Sequence, residues 1–332
     1  MPEAIKSYLD QIKIGRKQSF KNLAMFPLLS TYCSDLDYLL LDEALREGLI
    51  EVAEVSEEGS VPELKVTNRS PHMVLILDGE ELVGAKQNRI VNTTILLKGN
   101  ATIIIPVSCV EHGRWSYSSQ RFTSEKRMMS PNLRFQKAQQ VNFSIRTSGE
   151  FRSDQGALWD GIAEKAERMH VASETGAMAS IFEKERVSLD SYVKHFRLIE
   201  GQVGAVFMIN GKVVGMDALG KPETLTKVFE KLIQSYALDA VDWFNPEKEH
   251  KYHKSKVTAF VKSALSAHLE PHPSVGLGTD IRMESKKITG FALALDNKVL
   301  HVSLFAKENG DGEKMRSSRI HRYSRRRRNR IS

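Results

Sequence analysis

Cysteine is nearly absent: Cys33 and Cys109 are the only two in 332 residues, too few for a disulfide framework or a cysteine-based zinc site. Long apolar runs are missing as well. The longest, such as 73–77 and 103–107, fall far short of the ~20 residues a membrane span needs. The first fifteen residues interleave Glu3, Lys6, Asp10 and Lys13 with apolar positions, so they lack the apolar segment of a secretory signal. These absences make the cytoplasm the expected compartment and leave no membrane partner. The body also lacks an excess of charge. The formal charge of +7 comes from 48 basic and 41 acidic residues, but residues 314–332 hold nine of the basic ones and no acidic ones. Residues 1–313 are left with 39 basic against 41 acidic, so the pI of 9.2 belongs to the tail.

What is present reads as globular: 41% hydrophobic and 27% charged residues exclude a collagenous or wholly disordered chain. A short amphipathic helix is expected over 36–48, with Gly48 past its end. Strands are expected over 50–55, 63–68, 73–77, 89–97 and 102–110, set apart by turn residues. A polar stretch, 113–154, then interrupts the pattern; from Arg114 to Arg152 it carries eight basic and two acidic residues. Its length points to a lid, a binding loop or a poorly ordered segment. Helical spacing resumes over 157–170 and 177–185. Asn210-Gly211 between 203–209 and 212–216 signals a hairpin. Helices over 222–238 and 255–268 and a hairpin over 291–305 follow. Strands and helices are partly segregated, so the expected class is α+β, an antiparallel or mixed sheet core with helices packed on it. One such domain would span 15–305: a β-rich half to 112, the basic segment, and a mixed half from 155. The basic tail at 314–332 is expected to be disordered.

The strands on either side of Lys98-Gly99-Asn100-Ala101 can pair through a Gly-Asn turn. Paired residue numbers then sum to 199, which sets Asn88 opposite Glu111, Ile90 opposite Cys109, and Lys86 diagonal to Glu111. Side-chain alternation puts Lys86, Asn88, Cys109 and Glu111 on one face and Arg89 on the other. Continuous apolar runs at 95–97 and 103–105 fit a sheet covered on both faces. Polar residues at its open end would then line a pocket rather than a solvated surface. A carboxylate beside Lys, with Asn as amide donor, suits acid–base work or a polar ligand. No histidine shares the face of Cys109, which points to a buried structural thiol.

The runs Gly79-Glu-Glu-Leu-Val-Gly-Ala-Lys-Gln-Asn-Arg89 and Ser108-Cys-Val-Glu-His-Gly-Arg-Trp115, with Glu200-Gly-Gln-Val-Gly204 and the Asn210-Gly211 hairpin, resemble one family. It is called ARG- and rhodanese-phosphatase-superfamily-associated protein domain, where ARG stands for ADP-ribosylglycohydrolase. The likeness covers most of 15–305. It sets Glu80, Lys86, Asn88, Arg89, Glu111 and Arg114 at the family's polar motif positions. Through gene association the resemblance implies an ADP-ribose- or NAD-derived ligand. On that reading Glu80, Glu111 and Lys86 are the catalytic candidates, and Asn88, Arg89, Arg114 and Trp115 the ligand-binding ones.

Other motifs fail or compete. Gly215-Met-Asp-Ala-Leu-Gly-Lys-Pro222 begins like a phosphate-binding loop but ends on Pro222 where a hydroxyl is required. Gly276-Leu-Gly278 has Ile281 where a dinucleotide fingerprint needs a third glycine. His250, His253, His268 and His272 match no zinc spacing, so no metal site is assigned and no cofactor follows. The basic 114–152 segment interleaves Trp115, Tyr117, Phe122, Phe135 and Phe143, which with the Arg-rich tail allows a nucleic-acid-binding module instead. A non-catalytic sensor or scaffold is the third alternative. A small anionic ligand is the leading partner.

Overall fold

The computed structural model describes residues 2–307, so the Arg-rich tail expected at 314–332 lies outside the described residues. The chain opens with α1 (Pro2–Asp10), β1 (Lys13–Ile14), β2 (Gln18–Phe20), β3 (Leu23–Leu29), β4 (Tyr38–Leu40) and α2 (Leu41–Arg46). A β-rich stretch follows: β5 (Ile50–Glu54), β6 (Glu63–Asn68), β7 (Met73–Ile76), β8 (Glu81–Gly84), β9 (Arg89–Val91), β10 (Ile95–Leu97), β11 (Ala101–Cys109) and β12 (Phe122–Thr123). Four helices come next: α3 (Pro131–Ser148), α4 (Gln155–Arg168), α5 (Met178–Lys184) and α6 (Arg186–Val193). The rest is β13 (Gln202–Ile209), β14 (Lys212–Leu219), α7 (Pro222–Asp242), α8 (Lys254–Leu265), β15 (His268–Pro273), β16 (Thr279–Glu284), β17 (Ile288–Leu295) and β18 (Lys298–Ala306). The class is α+β, with antiparallel and mixed sheets.

The larger sheet runs β1-β3-β13-β14-β18-β17-β16-β15, with β2 also on β3, and all its pairs are antiparallel. Its hairpins close on residues that tolerate positive φ: Asn210 and Gly211 (51° and 74°) and Asp296 and Asn297 (48° and 63°). Strand β13 is buried along its whole length because alternate side chains enter two cores. Ala205, Phe207 and Ile209 pack with α7, while Val206 and Met208 join α1 and α8. Each face thus removes a helix's apolar stripe from water, at ~25 cal/mol per Å² buried.

Two smaller sheets, β12-β8-β9-β11-β6-β5 and β10-β7-β4, enclose a third core with α2. The β4–β7 pair is parallel. Here the structure corrects the expected hairpin. Strand 89–97 is two strands: β9 stays with β11, while β10 crosses to β7. The β9–β11 partners are Val91 with Val107 and Arg89 with Cys109, a register shifted by one residue. Arg89 therefore faces Cys109, instead of lying on the opposite face. The cause lies in Asn92-Thr93-Thr94, whose side chains leave the ladder. Asn92 donates to the Phe151 carbonyl (3.0 Å), Thr93 donates to Asp280 (2.7 Å), and Thr94 bonds His301 (2.8 Å).

The basic segment is corrected too. Residues 131–148 are not loop but the 18-residue α3. Its Arg134 and Lys137 are buried in an ionic network that joins the small sheets to the large one. Arg134 donates to both oxygens of Asp217 (3.0 and 2.7 Å), to Asp78 (3.2 Å) and to Ser303 (3.0 Å). Lys137 binds Asp78 and the carbonyls of Val91 and Asn92. Tyr236 donates to Asp217 (2.8 Å), and His301 pairs with it as well (3.2 Å). Asp78 stands directly before the Gly79-Glu80-Glu81 turn, so the network fixes where β8 begins.

Candidate functional site

Strands β8 and β9 form a hairpin whose turn holds Ala85 at φ 41° and Gly84 at φ 125°. A side chain at Gly84 would meet Ser119 Oγ at 2.5 Å and the Arg121 carbonyl at 2.8 Å. This close approach brings the 113–121 segment over the strand ends. Beneath it Gln87, Arg89 and Cys109 cluster. Arg89 Nη1 donates to the backbone and side-chain oxygens of Gln87 (both 3.1 Å), and the Cys109 thiol donates to Gln87 Oε1 (3.0 Å). Burial pushes that thiol's pKa up, so it is not an activated nucleophile. Arg89 Nη2 lies 3.9 Å from Glu54 Oε1, and both side chains are almost wholly buried. Arg89 Nε and Nη2 and Glu54 Oε2 have no hydrogen-bond partner among the described residues.

Trp115 covers this pair, its ring 5.7 Å from the Arg89 guanidinium. The Lys86 ammonium sits 5.3 Å from Trp115 and 5.1 Å from Tyr117, and donates to the Glu58 carbonyl (2.7 Å). Tyr117 donates to the Glu57 carbonyl (3.2 Å). Both rings remain about half exposed, at 47% and 50%. The result is a cationic, aromatic surface over a buried arginine.

Glu111 lies beside this cluster with its acceptors engaged. Arg114 (2.6 Å) and the Asn88 N–H (3.0 Å) donate to one oxygen, and Thr175 (2.9 Å) to the other. Burial works to raise its pKa, but these bonds and the Arg114 charge outweigh it and hold the carboxyl below its usual value. Glu111 is thus a fixed anion. Both terminal nitrogens of Arg114 are engaged: besides Glu111 they donate to the Ala85 (2.6 Å), Ser116 (2.9 Å) and Gly84 (3.4 Å) carbonyls, Ser118 Oγ (3.1 Å) and Asn88 Oδ1 (3.3 Å). It clamps the strand ends together.

The structure therefore brings Lys86, Arg89 and Trp115 together, and Asn88, Glu111 and Arg114 next to them. Glu80 is drawn elsewhere. It accepts from the Leu77 N–H (2.7 Å) and from Lys231 of α7 (2.5 Å), which also binds Asp42 (2.5 Å). Glu54 was not expected, although alternation pointed to it: β5 buries Ile50, Val52 and Glu54 in one parity. Glu81 was not expected either. It is fully buried with neither oxygen hydrogen-bonded among the described residues, and Arg127 lies 3.8 Å from it.

Among the described residues no helix is long and apolar enough to cross a membrane, and no group of three or more His, Cys, Asp or Glu could hold a metal ion. No curated protein and no solved structure matches the chain. Over residues 11–305 it matches the family described as ARPP-1, the ARG and Rhodanese-Phosphatase-superfamily-associated Protein domain, and it belongs to that family.

Proposed function

We propose that this chain binds an ADP-ribose- or NAD-derived nucleotide at the face made by Lys86, Arg89, Trp115 and Tyr117. The observation that carries this reading is Arg89, buried beneath Trp115 with two donor nitrogens unpartnered. A buried charged group left unsatisfied is costly, and a guanidinium is matched best by paired oxygens such as a phosphate presents. Lys86 adds a second cation at the rim, and the half-exposed rings supply the stacking surface a base needs, worth ~1–3 kcal/mol per base. The ARG named in the family's description supports the ligand class. In this reading Asn88 and Arg114 hold the strand ends in register. Glu111, kept anionic and held by Arg114, Asn88 and Thr175, positions its neighbours rather than donating a proton. Gly59 has φ 78°, and a side chain there would meet Lys86 at 3.1 Å and Glu54 at 3.4 Å. The 56–59 turn thus closes over the Arg89–Glu54 pair, and ligand phosphate competes with the Glu58 carbonyl for Lys86.

Isothermal titration with ADP-ribose, NAD and adenosine tests this. ADP-ribose should bind at least tenfold more tightly than adenosine, which lacks the phosphates. Lys86→Ala and Trp115→Ala should each weaken it about five- to thirtyfold, or ~1–2 kcal/mol, with unchanged thermal stability. Absence of heat at millimolar ligand, or affinities indifferent to both substitutions, would refute it.

A further inference from the structure

Glu54 belongs to the Lys86–Arg89–Trp115 face, and a phosphate gives it nothing to bind. Its Oε1 accepts from the Lys86 backbone N–H (3.3 Å) and lies 3.9 Å from Arg89 Nη2. Its Oε2 is buried with no hydrogen-bond partner among the described residues. Gly59 shows where that oxygen stands. A methyl carbon built on Gly59 would lie 3.4 Å from Glu54 Oε2, 3.1 Å from Lys86 Cδ and 3.5 Å from Trp115 Cζ2. Three side chains of the face thus converge on one point, and the unpartnered oxygen is among them. The unpartnered Nε and Nη2 belong to Arg89, the same side chain that Trp115 covers. The face therefore presents donors and an acceptor side by side. Phosphate oxygens satisfy the donors alone, whereas the free oxygen of Glu54 needs a group that donates.

We propose that Glu54 determines the specificity of this face by accepting a hydroxyl of the ligand's terminal ribose while Arg89 takes the adjoining phosphate, an inference that rests on the nucleotide assignment. A pyrophosphate diester carries a sugar at each end. The base end stacks on the outside, because Trp115 and Tyr117 are half exposed there. Glu54 lies inward, its side chain 3% exposed, so the sugar at the other end is the one that meets it. Hydroxyls beside a phosphate supply both kinds of contact that the pair lacks. The 56–59 turn covers the way in. It is held by the Gly59 N–H on the Ser56 carbonyl (3.1 Å), by Lys86 on the Glu58 carbonyl (2.7 Å) and by Tyr117 on the Glu57 carbonyl (3.2 Å). The last two donors are ligand-face groups, so a phosphate that draws Lys86 away and a base that stacks on Tyr117 release the turn as they bind. A site that bonds a hydroxyl then rejects the analogue without one, which leaves a buried acceptor unpaired.

Isothermal titration of the full chain with ADP-ribose and with the propyl ester of ADP tests this. The ester keeps the pyrophosphate diester and its charge but has no terminal sugar. The unaltered chain should prefer ADP-ribose by about tenfold or more. Glu54→Leu removes the acceptor and should bring the two affinities within about twofold of each other. Glu54→Gln retains a carbonyl acceptor without the acid and should keep a preference of about threefold. Should Glu54→Leu fail to fold, the Glu54→Gln ratio decides. Equal affinity of the unaltered chain for the two ligands, or a preference untouched by either substitution, would overturn the role of Glu54 and leave the nucleotide face standing. Binding of neither ligand at 10 mM would refute the nucleotide assignment itself, and this role with it.

Discussion

Replacing Glu81 with Gln should make the protein more stable by an amount that grows as pH rises from about 5 and is complete above pH 7. The carboxyl is fully buried, and its pKa of about 7 stands above the reference 4.5. Between those values the folded state holds a proton that the unfolded chain has released, so stability falls as pH rises through the window. At ~1.4 kcal/mol per pKa unit, the accumulated loss above pH 8 is about 3 kcal/mol. Gln cannot ionise and does not incur it. At pH 5 Gln resembles the protonated acid, and the two proteins should melt within about 1–2 °C. At pH 8.5 the variant should melt about 5 °C higher, since a domain of ~300 residues has an unfolding entropy near 0.6 kcal/mol/K. Differential scanning calorimetry of both proteins at both pH values is the assay. Every other titrating group is shared, so the difference between the two melting curves isolates this one. An offset that does not change with pH, or a variant less stable at pH 8.5, would refute the reasoning.

Arg134→Leu should lower the melting temperature by about 5–8 °C, because it leaves buried Asp217 and Asp78 under-compensated, a loss of ~3–5 kcal/mol. Burial works to raise the Asp217 pKa, but Arg134 and His301 outweigh it and hold it well below 3.8. That contribution is complete above the unfolded value and is lost as pH falls below it, so acid unfolding of Arg134→Leu should begin at higher pH than in the unaltered chain. Thiol titration should count one reactive cysteine in the native protein, exposed Cys33, and two after unfolding exposes Cys109. A chain ending at residue 307 should keep its ADP-ribose affinity, since every residue of the proposed site lies between Glu54 and Thr175. If it loses affinity for nucleic acid at physiological salt, the nine basic residues after 313 are that contact.

Local chemistry was legible wherever a residue's own conformation decides the structure. Asn210-Gly211 closes a hairpin, Gly48 (φ 67°) ends α2, and Pro222 opens α7. Tyr38–Leu40, read as part of a helix, is strand β4, because pairing with β7 buries those residues. Strand β15 escaped notice because Pro271 and Pro273 argue against a strand; at the outer edge of the sheet their missing N–H groups cost no pairing. Helix α3 was hidden by its charges. Arg134, Lys137 and Asn142 look solvated in sequence, yet their partners Asp217, Asp78 and Thr289 lie 59 to 147 positions away in numbering. Other long-range bonds, from Asn92, Thr93 and Thr94 to Phe151, Asp280 and His301, accompany the shifted β9 register that a local turn argument could not fix. At the site, the resemblance grouped Lys86, Arg89 and Trp115 in one motif pair, but their meeting with Glu54 depends on β5 reaching the small sheet through β6.

A crystal structure of the chain soaked with ADP-ribose is the sharpest test of the proposed nucleotide-binding face at Arg89, Lys86 and Trp115. That assignment predicts pyrophosphate density within hydrogen-bond distance of Arg89 and Lys86 and an adenine ring stacked on Trp115 or Tyr117. Ligand density confined to another part of the molecule, or none at a concentration of 10 mM, would contradict it.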